Sequence, residues 1–165
     1  MAVISVFTLL LLAANGLQAG DTKQGNGSAV IPVDVLRHPI SAKARNMLLS
    51  AMAKIDSGEH EPAIAQLQET LRRYPDSAPY VHDLLGAEYV RTDRYDAAIR
   101  SFEQAISLLP HDAMTHYNFG LALVCAGDYK RATTEVRRAV ELDPENSTMR
   151  ERLNALLART SSGFR

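Results

Sequence analysis

The sequence lacks the paired cysteines and the motifs on which disulfides, cysteine-based metal centres and phosphate-binding loops depend. It holds one cysteine, Cys125, and no tryptophan in 165 residues. A single thiol excludes an internal disulfide and a cysteine-based zinc motif. Glycine-rich phosphate loops and nucleophile motifs are also absent from the sequence. We therefore expect a protein that is not an enzyme, with no cofactor, no metal and no small-molecule substrate.

A surplus of positive charge is missing as well. Lysine and arginine total 18 against 19 for aspartate and glutamate. Proteins that bind nucleic acid or anionic membrane surfaces usually carry a basic excess on one face. Neither is therefore predicted as a partner. With 46% hydrophobic residues, the composition fits a folded chain with a core.

The first nineteen residues contain no charged side chain. Their apolar run, residues 2–14, is shorter than the roughly 20 residues that a membrane-spanning helix needs. It is followed by Leu17-Gln18-Ala19, a small-residue cleavage pattern. Residues 1–19 are therefore predicted to be a signal peptide of an exported protein, periplasmic or secreted. Because no basic residue precedes the run, an uncleaved anchor that tethers the chain to a membrane is the alternative.

Residues 20–40 are predicted to form a linker. Its first half is rich in Gly, Ser, Asn, Lys and Gln, with nothing to bury. Its second half, residues 30–40, alternates apolar residues with Pro and Asp, which indicates an extended segment. We hypothesise that this apolar segment lies against the helices that follow.

A repeat of thirty-four residues organises the rest of the chain. Moving residues 79–110 forward by that number places Gly86 on Gly120, Tyr95 on Tyr129, Ala98 on Ala132 and Pro110 on Pro144. Apolar residues recur at steps of three and four in each half of the repeat, which predicts two amphipathic helices joined by a polar turn. We expect Gly86 and Ala98 to mark the closest approach of the two helices.

The order of the repeated residues resembles that of the tetratricopeptide repeat. The residues that carry the resemblance are Leu85, Gly86, Tyr89, Ala98, Phe102, Ala105 and Pro110. The resemblance implies an all-α fold: an α-solenoid of three helix-turn-helix repeats and a C-terminal capping helix. The predicted domain covers residues 41–159, with Ser41 as an N-cap. Its parts are repeats at about 44–78, 79–112 and 113–146 and a capping helix at 147–159, followed by a frayed tail at 160–165.

In this family the first helices of the pairs line a concave wall that commonly binds a peptide. Carried over by position, the peptide-binding residues are Arg45, Leu48, Met52, Tyr80, Asp83, Arg91, Met114, Tyr117 and Leu121. The wall is expected to be an exposed apolar patch, with Arg45, Asp83 and Arg91 orienting the peptide. The alternative is that some of these residues are core between adjacent repeats.

One subfamily grips the C-terminal carboxylate of chaperones with a clamp of Lys, Asn and Arg. The matching positions here hold Leu48, Met52, Leu84, Met114 and Asn118. Four of the five do not fit, so binding through that clamp is not expected.

The sequence therefore predicts a non-catalytic scaffold for protein or peptide partners. The alternatives are a structural module that self-assembles into a homo-oligomer and an accessory subunit of a larger envelope or export complex. His82 and His116 occupy equivalent packing positions and are expected to fill space between helices, with Asp112 as a candidate partner for His116. Their spacing does not suit a metal site.

Overall fold

The computed structural model describes residues 40–161, with side chains up to residue 159. Within that range the chain forms seven α-helices and no strand, so the predicted all-α fold is confirmed. The helices are α1 (Ala42–Asp56), α2 (His60–Arg73), α3 (Ala78–Arg91), α4 (Tyr95–Leu108), α5 (Ala113–Cys125), α6 (Tyr129–Leu142) and α7 (Ser147–Ser161). A 3-10 turn, Pro75–Ser77, precedes α3. The predicted signal segment 1–19 and linker residues 20–39 lie outside the described residues.

The described residues divide into two compact units, 40–81 and 82–161, and the boundary falls within α3. In the first unit α1 packs against α2. The core residues on these two helices are Ala44, Leu48, Ala51, Ala63, Ile64 and Leu67. Ser41 caps α1 as predicted, because its Oγ accepts a hydrogen bond from the backbone N of Ala44 at 3.2 Å. The backbone N of Ser41 donates to Oδ2 of Asp76 at 2.9 Å, which ties the start of α1 to the 3-10 turn.

The turn inside each helix pair is closed in the same way. Gly58, Asp93 and Gly127 have φ angles of 75°, 58° and 84°, in the left-handed region. The next amide in each turn donates to the carbonyl five residues earlier: Glu59 to Lys54, Arg94 to Tyr89 and Asp128 to Leu123. This closure satisfies carbonyls that the helix end would leave without partners. It recurs in all three pairs, in step with the sequence repeat.

In the second unit α5 packs against both α4 and α6, and α6 packs against α7. The nearest atoms to Gly86 across its helix pair belong to Phe102. A Cβ placed on Gly86 would lie 2.7 Å from Cζ of Phe102, so the Phe102 ring, one helical turn beyond Ala98, occupies the space that the missing side chain leaves. Gly120 has the same role, because a Cβ there would lie 2.4 Å from Cγ2 of Val136.

The last helix is longer than the sequence predicts. It continues to Ser161, so the first two residues of the predicted tail are helical. Met149 and Leu156 are buried on this helix. The guanidinium of Arg159 lies over the Tyr129 ring at 4.2 Å from its centroid, a cation–π contact between α7 and the start of α6. No helix in residues 40–161 is both long enough and apolar enough to cross a bilayer.

Candidate protein-binding surface

The four predicted site residues of the first unit divide by exposure. Arg45, Met52 and Tyr80 are partly exposed, whereas Leu48 is completely buried. Leu48 faces the packed interior of its unit and offers no surface to a partner. For this residue the alternative that the sequence left open, core rather than groove, is the one observed.

Burial also divides the five predicted residues of the second unit. Asp83 and Met114 are partly exposed, whereas Tyr117 and Leu121 are 2% and 1% exposed and the side chain of Arg91 is 6% exposed. Every residue from Thr115 to Leu123 on α5 is buried. A central helix with neighbours on several sides buries residues all around its axis, so position in the repeat does not establish exposure. The exposed apolar patch expected from the sequence is correspondingly smaller.

Arg91 is less available to a peptide than expected. Its guanidinium forms an ion pair with Glu88 one turn earlier on α3, and the two side chains are 6% and 0% exposed. Separating a buried pair leaves an uncompensated charge, which costs about 3–5 kcal/mol. Arg91 is therefore engaged within α3 as the partner of Glu88 and is not available to orient a peptide.

Five buried side-chain atoms have no hydrogen-bond partner among the described residues. They are Nε of Arg45, Oδ1 of Asp83, Nε of Arg91, the hydroxyl of Tyr117 and Oδ1 of Asn118. All five lie on α1, α3 or α5, the first helices of the three pairs. Each such buried polar group costs about 1–3 kcal/mol, and native structures contain few of them. The first helices therefore hold unused hydrogen-bonding capacity that the described part of the second helices lacks.

Asp83 has the most perturbed carboxyl group of the described chain. Burial, together with the negative charge of Asp112, raises its pKa from 3.8 to about 7, although the side chains of Thr115 and Asn118 oppose the rise. Asp112 itself is the N-cap of α5 and accepts from the backbone N of Met114 at 3.4 Å. Near neutral pH the Asp83 carboxyl is poised between its neutral and charged forms.

His116 is buried, as expected for a residue that fills space between helices, but its partner differs from the one considered from sequence. Its Nδ1 lies 2.8 Å from Oε2 of Glu135 and its Nε2 lies 3.2 Å from the carbonyl oxygen of Pro110. Burial lowers the pKa of His116, but these two acceptors outweigh it and the net shift is upward. The Asp112 side chain is unavailable to His116 because it caps the helix start.

Sequence reasoning missed the polar group formed by Asp83, Asp112, Thr115 and Asn118. The available signal was Asp112 immediately before α5, a residue type that favours an N-cap. Its proximity to Asp83 could not be read from a spacing of twenty-nine residues. No group of three or more His, Cys, Asp or Glu side chains that could hold a metal occurs in the part of the chain that the structure describes. Burial raises the pKa of the Cys125 thiol, which lowers its reactivity.

Comparisons with known proteins agree with the repeat fold. The tetratricopeptide repeat family matches residues 84–159. A small glutamine-rich tetratricopeptide repeat-containing protein 2 of Mycosarcoma maydis is 25% identical over 73% of this chain and 34% of its own length. The chain spans between 9% and 34% of the length of three curated relatives that it matches.

Solved structures share the fold. The first tetratricopeptide repeat domain of Spaghetti (RPAP3), bound to the HSP90 peptide SRMEEVD, superposes with a TM-score of 0.69 at 18% identity, over 73% of this chain and 98% of that one. At that identity the likeness concerns the fold alone. An O-GlcNAc transferase mutant of Thermobaculum terrenum reaches a TM-score of 0.65 at 28% identity, over 70% of this chain and 22% of that one. The family match over residues 84–159, the thirty-four-residue period and the repeated helix pairs show that this part of the chain consists of tetratricopeptide repeats.

Proposed function

We propose that the protein is a non-catalytic scaffold that binds a peptide segment of another protein on the first helices of its repeats. One observation carries this function: every buried polar atom without a partner in the described range lies on a first helix. A bound peptide brings backbone and side-chain groups that can satisfy such atoms. The peptide-bound RPAP3 domain, which has the same fold, supports this reading by analogy.

Within the second unit the peptide contacts are assigned to Asp83, Met114 and the hydroxyl of Tyr117. Met114 is partly exposed and supplies an adaptable apolar contact. Tyr117 is 2% exposed and its hydroxyl is buried without a partner among the described residues, so a peptide reaches that hydroxyl only if neighbouring side chains move on binding. In the first unit the partly exposed Arg45, Met52 and Tyr80 are the proposed contacts.

The test is selection of peptides from a random display library on the full chain, followed by fluorescence polarisation. Met114→Ala is expected to weaken the selected peptides, since it truncates a proposed contact. Ile106→Ala is the matched control, because Ile106 is a partly exposed apolar residue on α4, a second helix. Equal affinities for both variants, or failure to select any peptide, would refute the function.

Tyr117→Phe removes one hydroxyl and keeps the buried ring. We expect stability to rise, by up to about 1–3 kcal/mol, because a buried hydroxyl without a partner is removed, and binding of the selected peptides to weaken by about threefold to tenfold. The HSP90 peptide SRMEEVD is included as a negative control, since four of the five clamp positions lack the required residue types. Tight binding of that peptide would contradict the proposed mode of recognition.

We also propose that the mature protein is exported and begins at Gly20. Mass spectrometry of the N-terminal peptide of the protein produced in its own host tests this. A chain that retains residues 1–19 would overturn the proposal of cleavage.

A further inference from the structure

Three acceptor-bearing side chains meet where α3 passes the start of α5 in the second unit. Asp83 lies on α3, Asp112 caps α5 and Asn118 lies on α5. The charge of Asp112 and the side chain of Asn118 both act on the Asp83 carboxyl. Asn118 is 5% exposed, whereas Asp83 is partly exposed, so a ligand would reach the group past Asp83.

This group has more acceptors than donors. The one hydroxyl hydrogen of Thr115 lies toward Oδ2 of Asp112 at 3.0 Å, and the side chains of Thr115 and Asn118 also hydrogen-bond to the Asp83 carboxyl. These few donors serve two carboxyl groups and the Asn118 carbonyl. Oδ1 of Asp83 and Oδ1 of Asn118 are buried and have no partner among the described residues. A site short of hydrogen-bond donors is completed by a ligand that brings them.

The negative charge of the group also favours a ligand that is a cation. Two carboxylates in one partly buried site repel each other when both are ionised, and a positive charge between them would relieve the repulsion. Arg91, which lies nearer the C-terminal end of α3, does not supply that positive charge, because it is already paired with buried Glu88. An acidic ligand would add a third negative charge and more acceptors.

We propose that Asp83, Asp112 and Asn118 form a subsite for a cationic hydrogen-bond donor of the bound peptide, either a lysine ammonium or an arginine guanidinium. The proposal rests on the function proposed above and adds the chemical class of its partner. Asp83 is the direct ion-pair acceptor, Asn118 supplies a carbonyl acceptor, and Asp112 contributes charge while its oxygens remain bonded at the helix start. The partner segment is accordingly basic, the opposite of the acidic peptide on the RPAP3 domain.

The test uses the full chain and four pools of degenerate nonapeptides that differ only at the central residue. The central residue is lysine, arginine, glutamate or norleucine, which keeps an apolar stem close to that of lysine without the charge. Fluorescence polarisation is expected to give about tenfold tighter binding of the lysine or arginine pool than of the norleucine pool. The better of the two cationic pools identifies the source of the charge.

Two variants connect the preference to the subsite. Asp83→Asn and Asp112→Asn should each reduce the cationic preference severalfold, and asparagine preserves the N-cap at residue 112. Asp96→Asn is the matched control, because Asp96 is an exposed carboxylate in the first turn of α4. Circular dichroism of each variant verifies that it is folded.

The outcomes separate the two proposals. If no pool binds the wild-type chain, the peptide-binding function fails, and this subsite fails with it. If all pools bind equally, or the glutamate pool binds best, only the subsite is overturned. A cationic preference that survives Asp83→Asn, or falls equally with Asp96→Asn, also overturns it.

Discussion

Replacing Asp83 by asparagine should stabilise the protein at alkaline pH, and the size of the effect can be worked out from its surroundings. The pKa of Asp83 is 3.8 in an unperturbed chain and about 7 in the folded protein. Between these values the folded state keeps a proton that the unfolded state has lost. Stability of the wild type therefore falls as pH rises through this window and levels off above the folded pKa.

The magnitude follows from the same values. A shift of one pKa unit corresponds to about 1.4 kcal/mol. For a completely buried Asp83 the loss of unfolding free energy would therefore be at most about 4 kcal/mol. Because Asp83 is partly exposed, water reduces this penalty, and we expect a gain on the order of 2 kcal/mol for Asp83→Asn above about pH 8. Below about pH 3 the carboxyl is largely neutral in both states and the difference should vanish.

Urea unfolding followed by circular dichroism across this pH range measures the difference directly. Asp96→Asn provides the control, since an exposed carboxylate should change stability by less than about 1 kcal/mol with little dependence on pH in this window. A wild type as stable as Asp83→Asn at alkaline pH would refute the reasoning, because an ionised Asp83 would then have adequate partners. The expected gain would mean that the chain keeps an unfavourable carboxylate, as proteins do at functional sites.

Three further predictions concern packing and pH. Gly120→Ala should destabilise the second unit by about 1–3 kcal/mol through overlap with Val136, and Val136→Ala should recover part of this loss in a double-mutant cycle by urea unfolding. Gly127→Ala meets nothing within 4 Å but has a φ of 84°, so thermal melts should show a loss of about 1 kcal/mol; no loss would contradict the left-handed turn. Glu135 raises the pKa of His116 above 6.5 in the folded protein, although burial opposes the rise. The protonated His116 therefore stabilises the fold fully below pH 6.5, and this contribution is lost as pH rises through the pKa of the folded state. The stability gap between wild type and His116→Gln should therefore narrow on going to alkaline pH, and a constant gap would count against the ion pair.

The period and the chain turns could be predicted from the sequence because their causes are local. Helix faces follow from apolar residues three and four positions apart, and Ser41 caps a helix through an atom three residues away. The left-handed positions at Gly58, Asp93 and Gly127 fall at the same place in each pair. Interactions over so few residues are contained in a short window of sequence.

The candidate site was only partly predictable, since position in a repeat does not fix exposure. Tyr117 and Leu121 were assigned to a binding surface, yet both are buried because α5 has α4 and α6 packed against it. Asp83 was named from sequence as a residue that orients a peptide. Its shortage of donors was not foreseeable, because it depends on which side chains of a later helix reach it.

The sequence by itself determined that this chain forms tetratricopeptide-like helix pairs in a fixed phase. Small residues at Gly86 and Gly120, the apolar period and the turn residues are sufficient for that, because each acts within one helix pair. Only the tertiary structure decided that His116 pairs with Glu135, that Phe102 fills the space beside Gly86, and that Asp83 lies near Asp112 and Asn118. Those partners are sixteen to thirty-five residues apart in sequence. They meet through helix packing, which fixes the distances that a linear pattern leaves open.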